Sequence, residues 1–238
     1  MLVNTRNPLN IGAAARAMSN FGFFDLRLVK PYEASFREAR SAVGASEILV
    51  QAREYASVAE AVGDCVLVVG TTAADRRELQ HPLYLPDRAA NLIRKRAGKG
   101  RVALLFGSEK RGLSNEDLSH CHWLVRIPTR EEHGSMNLGQ AVAVCLYELV
   151  REPSAKCVVE RADKKYKDID PATSAVLERI TEVLLEALRG SGYLKARSSV
   201  GAEEKVRRMV RRFELSAADA ELLLGMLRQM AWKVGKNG

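Results

Sequence analysis

No GxGxxG follows the first β-rich run of this 238-residue chain, which argues against a dinucleotide-binding turn and against the commoner Rossmann-like methyltransferases. There is no GxxxxGK(S/T) either, hence no phosphate-cradling P-loop. Ser135 sits in no GxSxG elbow, which weakens a hydrolase reading. No apolar run approaches membrane-spanning length, and the first residues lack the basic-then-apolar pattern of a signal peptide. A cytoplasmic protein with no membrane partner is expected. Cysteine is scarce: Cys65, Cys121, Cys145 and Cys157 show no CxxC pairing or metal-ligand spacing, so reduced and mostly buried thiols are expected. His120-Cys121-His122 looks like a ligand cluster, but adjacent strand residues point to opposite faces and cannot converge on one ion. No metal is expected.

What is present is the composition of a soluble globular protein, 47% hydrophobic and 28% charged. The length suits one generous domain, or a domain with an appendage. A net charge of +8 favours a polyanionic partner. Residues 151–238 carry 18 Lys and Arg against 13 Asp and Glu, so the tail is the more basic part. A solvated surface biased towards solubility would show the same charge.

Short apolar runs at residues 26–29, 66–69, 102–106 and 124–127 read as buried strands, with helical spacing at 57–62 and 86–96. Such alternation predicts an α/β domain over 1–150, with a mainly parallel sheet and helices on both faces. Only Met1-Leu2-Val3 remains for a first strand, which is then very short or begins upstream. Residues 151–170 read as a charged linker. From 171 to 238 the pattern is a small all-helical appendage. Asp170 and Pro171 read as N-cap and first residue of a helix striped by Leu177, Ile180, Leu184 and Leu188, ended by Gly190 and Gly192. A second helix carries Val206, Met209, Val210 and Phe213 on one face and Lys205, Arg207, Arg208, Arg211 and Arg212 elsewhere. Ser216 and Asp219 read as a capping box for a third.

Three segments invite a chemical reading. Asn10 to Ala17 is small at nearly every position; an Ala-rich helix packed on the sheet explains that, yet the turn before Asn10 also leaves backbone N–H groups suited to an anion, with Arg16 in reach. Phe106-Gly107-Ser108-Glu109-Lys110-Arg111-Gly112 follows a strand end, where open α/β sheets bind ligands. Gly107 would let backbone approach a flat adenine and Gly112 would permit a tight turn. An ordinary strand-to-helix turn reads the same way. Gly134-Ser135-Met136-Asn137-Leu138 leads into a helix over 138–150, with Asn137 as N-cap; Ser135 could be turn chemistry alone. Thr71, Thr72 and Ala73 follow another strand and could simply form a polar loop.

In this order, the three segments resemble the signature motifs of the SpoU branch of the SPOUT methyltransferases. The resemblance implies S-adenosylmethionine as cofactor, S-adenosylhomocysteine as product, and methylation of an RNA ribose 2′-hydroxyl. It implies catalytic or active-site roles for Asn10, Arg16, Glu109, Ser135 and Asn137. It places cofactor contacts at Thr71, Thr72, Ala73, Leu105, Phe106, Gly107, Gly112, Ile127, Gly134, Ser135, Met136 and Leu138. It further implies a homodimer, and a deep trefoil knot over about 104–150, against the usual rule that chains do not thread. His133 matches no required residue and reads as a loop position. The helical tail is similar to that of branch members that methylate the anticodon loop of tRNA, with ribosomal RNA as the alternative substrate and a non-catalytic RNA-binding module as the alternative class. Arg16, Arg207, Arg208, Arg211 and Arg212 are then the expected phosphate contacts, and cofactor binding is expected to be independent of the tail.

Overall fold

A computed structural model of the chain describes residues 1–34, 36, 47–73, 80–130, 134–151, 170–194 and 199–236. Cys157, His133 and all but the ends of the expected linker (152–169) lie outside them. Seven strands are described: β1 (Leu2–Val3), β2 (Arg27–Val29), β3 (Arg53–Tyr55), β4 (Cys65–Thr71), β5 (Leu83–Tyr84), β6 (Arg101–Leu105) and β7 (Trp123–Val125). Every pairing is parallel. Two sheets, β1-β2-β3 and β5-β7-β4-β6, meet where Leu2 bridges Phe106. There Val3 N–H donates to Phe106 O at 2.8 Å and Phe106 N–H to Met1 O at 3.0 Å. The order across the joined sheet is therefore β3-β2-β1-β6-β4-β7-β5.

The four expected strands form within a residue or two of their expected places, and β1 is described over Leu2–Val3. β4 is buried for six of its seven residues, as a central strand with helices on both faces must be. β3 and β5 were not expected. Arg53-Glu54-Tyr55 and Leu83-Tyr84 have no apolar run, being edge strands exposed or half-buried throughout.

Helices α1 (Pro8–Asn20), α2 (Glu47–Val50), α3 (Val58–Ala61), α4 (Pro86–Ala97), α5 (Asn115–Ser119) and α6 (Leu138–Val150) complete the α/β domain. α1 starts as its sequence dictates: Asn7 Oδ1 accepts from Leu9 N, and Pro8 occupies the first turn where no N–H is required. α1 and α6 lie side by side and run the same way, since Asn10 meets Asn137 near their starts and Phe21 meets Tyr147 near their ends. Their contact is close at Gly139, where a Cβ would stand 2.6 Å from the Ala13 Cβ.

The tail helices α7 (Ser174–Gly190), α8 (Ser199–Arg212) and α9 (Ala217–Lys236) share a small core of Ala172, Leu177, Ile180, Val210, Ala220 and Leu224. α7 begins later than expected. Thr173 is its cap, with Oγ1 accepting from Val176 N, whereas Asp170 O accepts from Ala217 N and Pro171 bridges Ser216. A pairing across the tail has won over a local cap. α7 does end at Gly190, and Gly192 at φ +76° lets Leu194 N–H turn back to Leu188 O. Ser216 Oγ accepts from Asp219 N at 3.0 Å, as expected for the start of α9.

Candidate active site

The carboxyl ends of β4, β6 and β7, the N-terminus of α1 and the N-terminus of α6 converge on one side of the sheet. At their centre is a chain of side-chain hydrogen bonds. Asn137 Nδ2 donates to Asn10 Oδ1 at 2.9 Å, and Asn10 Nδ2 donates to Glu109 Oε1 at 2.9 Å. Asn137 Oδ1 accepts from Gly139 N at 2.9 Å and caps α6. A carboxylate accepts only, so Glu109 fixes which end of the Asn10 amide faces it; that orientation fixes Asn137, and Asn137 fixes the start of the helix. Residues 99 and 127 positions apart in sequence thus form one unit. Asn10 is nearly buried, while Glu109, Ser135 and Asn137 are exposed and available to a ligand.

Asn10→Asp tests this unit. Two carboxyl groups would then face each other, and a loss of about 1–3 kcal/mol of stability is expected. Adding Glu109→Gln restores a donor to the pair, so chemical denaturation should show most of the loss recovered. Additive losses in the double variant would break the unit apart.

Arg16 is exposed, one helical turn beyond the Ala13 that Gly139 packs against, and among the described residues it has no hydrogen bond or ion pair. A guanidinium without a partner among the described residues thus projects from the middle of α1, less than two turns along from Asn10.

Gly107 has a steric task that the sequence did not disclose. A Cβ there would lie 2.0 Å from Gly112 C and 2.2 Å from Leu113 N. The loop folds back on itself, with Gly112 N–H donating to Ser108 O at 2.8 Å and Gly112 at φ +66°. The missing Cβ of Gly107 makes room for its own loop.

A cavity of about 600 Å³ is lined by Pro128, Thr129, Arg130, Ser135, Met136, Asn137 and Gln140. Of the expected cofactor contacts, Ser135 and Met136 line it. Leu138 is buried behind it, Gly134 and Ile127 are half-buried on the segments that form it, and Leu105 and Phe106 are buried at the end of β6. Thr71 belongs to the sheet: its Oγ1 donates to Leu105 O at 2.9 Å. Thr72 N–H continues the ladder to Val125 O at 3.0 Å, and Ala73 is exposed beyond it. Arg130 and Gln140 were missed; Gln140 is recoverable from spacing, being three residues after Asn137 on the same helix face. A second cavity of about 570 Å³ lies among α1, α4, α6 and residues 100–104, at the other end of the strands, and is mainly apolar. Ligands of parallel sheets bind at the carboxyl ends, which selects the first.

The expected phosphate contacts on the tail need correction. Arg211 is 1% exposed, donating to Glu178 Oε2 at 3.0 Å and to His120 O at 3.2 Å. Arg207 donates to Glu178 and to Ser119 Oγ. Arg208 is largely covered and donates to Gln80 Oε1. Of the four, only Arg212 is exposed. A helix rich in arginine has turned most of them inward because the Glu178 carboxylate, the Ser119 hydroxyl, the His120 carbonyl and the Gln80 amide oxygen wait there.

Among the described residues no cluster of His, Cys, Asp and Glu could hold a metal, and no helix is long and apolar enough to cross a membrane. His122 Nδ1 accepts from Val68 N at 3.1 Å, a structural use of the ring. Cys65, Cys121 and Cys145 are free and buried, and burial pushes the Cys65 and Cys145 thiols up to about 12.

The sequence profile of the SpoU rRNA Methylase family matches residues 1–147, so the chain belongs to that family. It is 35% identical over 236 residues to the tRNA (cytidine/uridine/adenosine-2′-O-)-methyltransferase TrmJ of Pseudomonas aeruginosa strain UCBPP-PA14, covering 96% of this chain and 91% of that protein. It is 34% identical over 233 residues to the tRNA (cytidine/uridine-2′-O-)-methyltransferase TrmJ of Yersinia enterocolitica serotype O:8, covering 95% and 88%. The crystal structure of TrmJ from Z. mobilis ZM4 superposes with a TM-score of 0.81 at 31% identity over 96% of both chains. These likenesses extend through the tail, beyond the family profile.

Proposed function

We propose that the protein is an S-adenosylmethionine-dependent RNA 2′-O-ribose methyltransferase whose substrate is tRNA, methylated in the anticodon loop. The observation that carries the reading is the Asn137–Asn10–Glu109 chain, with Arg16 exposed less than two turns further along the helix that bears Asn10, since a mere binding module has no use for a fixed amide relay and an exposed arginine on one helix. The likeness to TrmJ proteins over nearly the whole chain, tail included, supports tRNA over ribosomal RNA.

The residues present fit the cofactor. A cavity of about 600 Å³ is of the size that takes a nucleoside-sized ligand. Its walls offer apolar surface from Pro128 and Met136 and polar groups from Thr129, Ser135, Asn137 and Gln140. Glu109, Gly107 and Gly112 shape the loop above β6. The cofactor supplies a methyl group already activated by a sulfonium. What the chain must supply is alignment of the ribose and stabilisation of charge developing on its 2′-oxygen. Arg16 clamps an RNA phosphate and directs an N–H at that oxygen, with the phosphate or a water accepting the proton; a guanidinium stays charged and is no unaided base. Ser135 and Asn137 orient the ribose or the loop. The reading includes a cytoplasmic homodimer and a knotted segment over about 104–150. A methylated-nucleoside map of tRNA and rRNA pools incubated with the protein tests the assignment. Methylation confined to rRNA would overturn the substrate.

On the tail, Arg212 is the arginine placed to meet a phosphate. Arg212→Gln should reduce the slope of log affinity against log salt by about 1. Arg211→Gln should instead lower the melting temperature by burying a broken pair. Filter binding across a salt series, with thermal melts alongside, separates the two; equal salt slopes for Arg212→Gln and the parent would move the RNA path elsewhere.

A further inference from the structure

Residues 113–122 are the only covalent link between the loop above β6 and the strand β7 that leads into the cavity wall at Pro128–Arg130. Within this segment Leu113 packs within 3.3 Å of where a Gly70 Cβ would stand, at the end of β4. α5 is started by a reciprocal box, Ser114 Oγ accepting from Asp117 N while Asp117 Oδ2 accepts from Ser114 N at 2.8 Å. A five-residue helix has little hold of its own. Its far end is held by the tail. Arg207 Nη1 donates to Ser119 Oγ at 3.1 Å, whose hydroxyl in turn donates to Glu116 O at 2.6 Å. Arg211 Nε donates to His120 O at 3.2 Å. Glu178 on α7 ties the two guanidinium groups together, at 2.9 Å from Arg207 Nε and 3.0 Å from Arg211 Nη2.

The electrostatics commit these groups to one another. Burial alone would raise the Glu178 carboxyl, but Arg211 and Arg207 hold it below its ordinary range. Burial pushes the neighbouring His120 imidazole down to about 3, so it adds no competing charge although its Nδ1 is 3.6 Å from Glu178. A buried pair broken on one side leaves an uncompensated charge, so the clamp holds together or yields as a whole.

We propose that Glu178, Arg207 and Arg211 are positioning residues for cofactor binding, which hold the 113–122 segment from its far end so that the tail sets the affinity of the α/β domain for its cofactor. This rests on the methyltransferase reading above, and it reverses the expectation that cofactor binding ignores the tail. None of the three touches the cavity, so they act through Ser119 and His120 on the two loops that flank it.

The test uses the full chain. Calorimetric titration with S-adenosylmethionine should show a Kd raised about fivefold or more in Arg211→Met. Arg211→Lys keeps the charge beside Glu178 but has no fork to reach His120 O as well, so it should show the same direction with a smaller loss of melting temperature. Turnover at saturating cofactor and RNA should stay close to that of the parent, which puts the defect in the cofactor KM. A role in stability alone predicts something else: fewer binding-competent molecules, with Kd unchanged for those that remain. An unchanged Kd in either variant, or loss of RNA affinity without change in cofactor affinity, overturns the proposal. Should Arg211→Met fail to fold, Arg207→Gln, at a less buried position, carries the same measurement. A parent protein that binds no S-adenosylmethionine would sink the methyltransferase reading itself, a distinguishable failure.

Discussion

Arg16→Ala is expected to lower turnover by about a hundredfold or more while leaving S-adenosylmethionine affinity within about twofold of the parent. The reasoning is geometric. Arg16 is exposed on α1, makes no ion pair among the described residues, and stands a turn from the Ala13–Gly139 contact that brings the N-terminus of α6 alongside. Its removal breaks no bond among the described residues, so the fold should be indifferent, and a melt within a degree or two of the parent is part of the expectation. Arg16→Lys keeps a point charge but loses the planar fork that can hold a phosphate and reach the developing alkoxide together. It should therefore lose most of the turnover too. Single-turnover methylation measures the chemical step directly. Near-parental rates in Arg16→Ala would remove Arg16 from the mechanism, and a fully active lysine variant would reduce it to a point charge.

Gly107→Ala should have the second largest effect, and through a physical cause that the sequence did not disclose. Its Cβ would meet the backbone of Gly112 and Leu113 at 2.0 and 2.2 Å. Backbone atoms cannot swing aside like the end of a flexible side chain, so the loop has to open. Loss of about 1–3 kcal/mol of stability and a rise in cofactor Kd by about a hundredfold are expected, read by thermal melting and calorimetry. Gly225→Ala is the control. It lies in helix α9 with nothing within 4 Å of the new methyl, and should stabilise by about 0.5–1 kcal/mol. A Gly107→Ala protein with parental affinity would show that the loop has a second, equally good conformation.

Much of this molecule is legible in its sequence, and the parts that are not share a cause. The buried strands announce themselves because β4, β6 and β7 are covered by helices and must be apolar. Asn137 as the cap of α6 follows from residue type. Arg53-Glu54-Tyr55 becomes a strand only because β2 offers it a ladder, and Asp170 forgoes a cap because the backbone of α9 reaches it first. The arginines of α8 are the sharpest case. Charge predicts a wet surface, yet three of four are covered, and two of these, Arg207 and Arg211, are held by one carboxylate, Glu178, that sits between Leu177 and the next apolar position of α7. A lone acidic residue bordering an apolar stripe was the available signal. The motifs single out Arg16, Glu109, Ser135 and Asn137, but the linkage of Glu109 and Asn137 through Asn10 depends on two contacts across about a hundred residues or more, which no local pattern encodes.

The joint at β1 bears on how the protein is made. Leu2 and Val3 lie in the middle of the sheet, yet their neighbour on one side is Phe106, 103 residues away from Val3. On a ribosome β1 emerges well before β6, and that flank does not exist until more than a third of the chain has followed β1. Loops of that length close slowly, and their closure has to precede any reward from the contact. Until then β1 can pair only with β2, leaving its other edge open to any extended segment nearby. The nascent chain therefore passes through a state with an unguarded strand edge at what later becomes the core. Refolding should be slow relative to the chain's helical content, and the aggregation-prone interval should end when Phe106 closes against Val3.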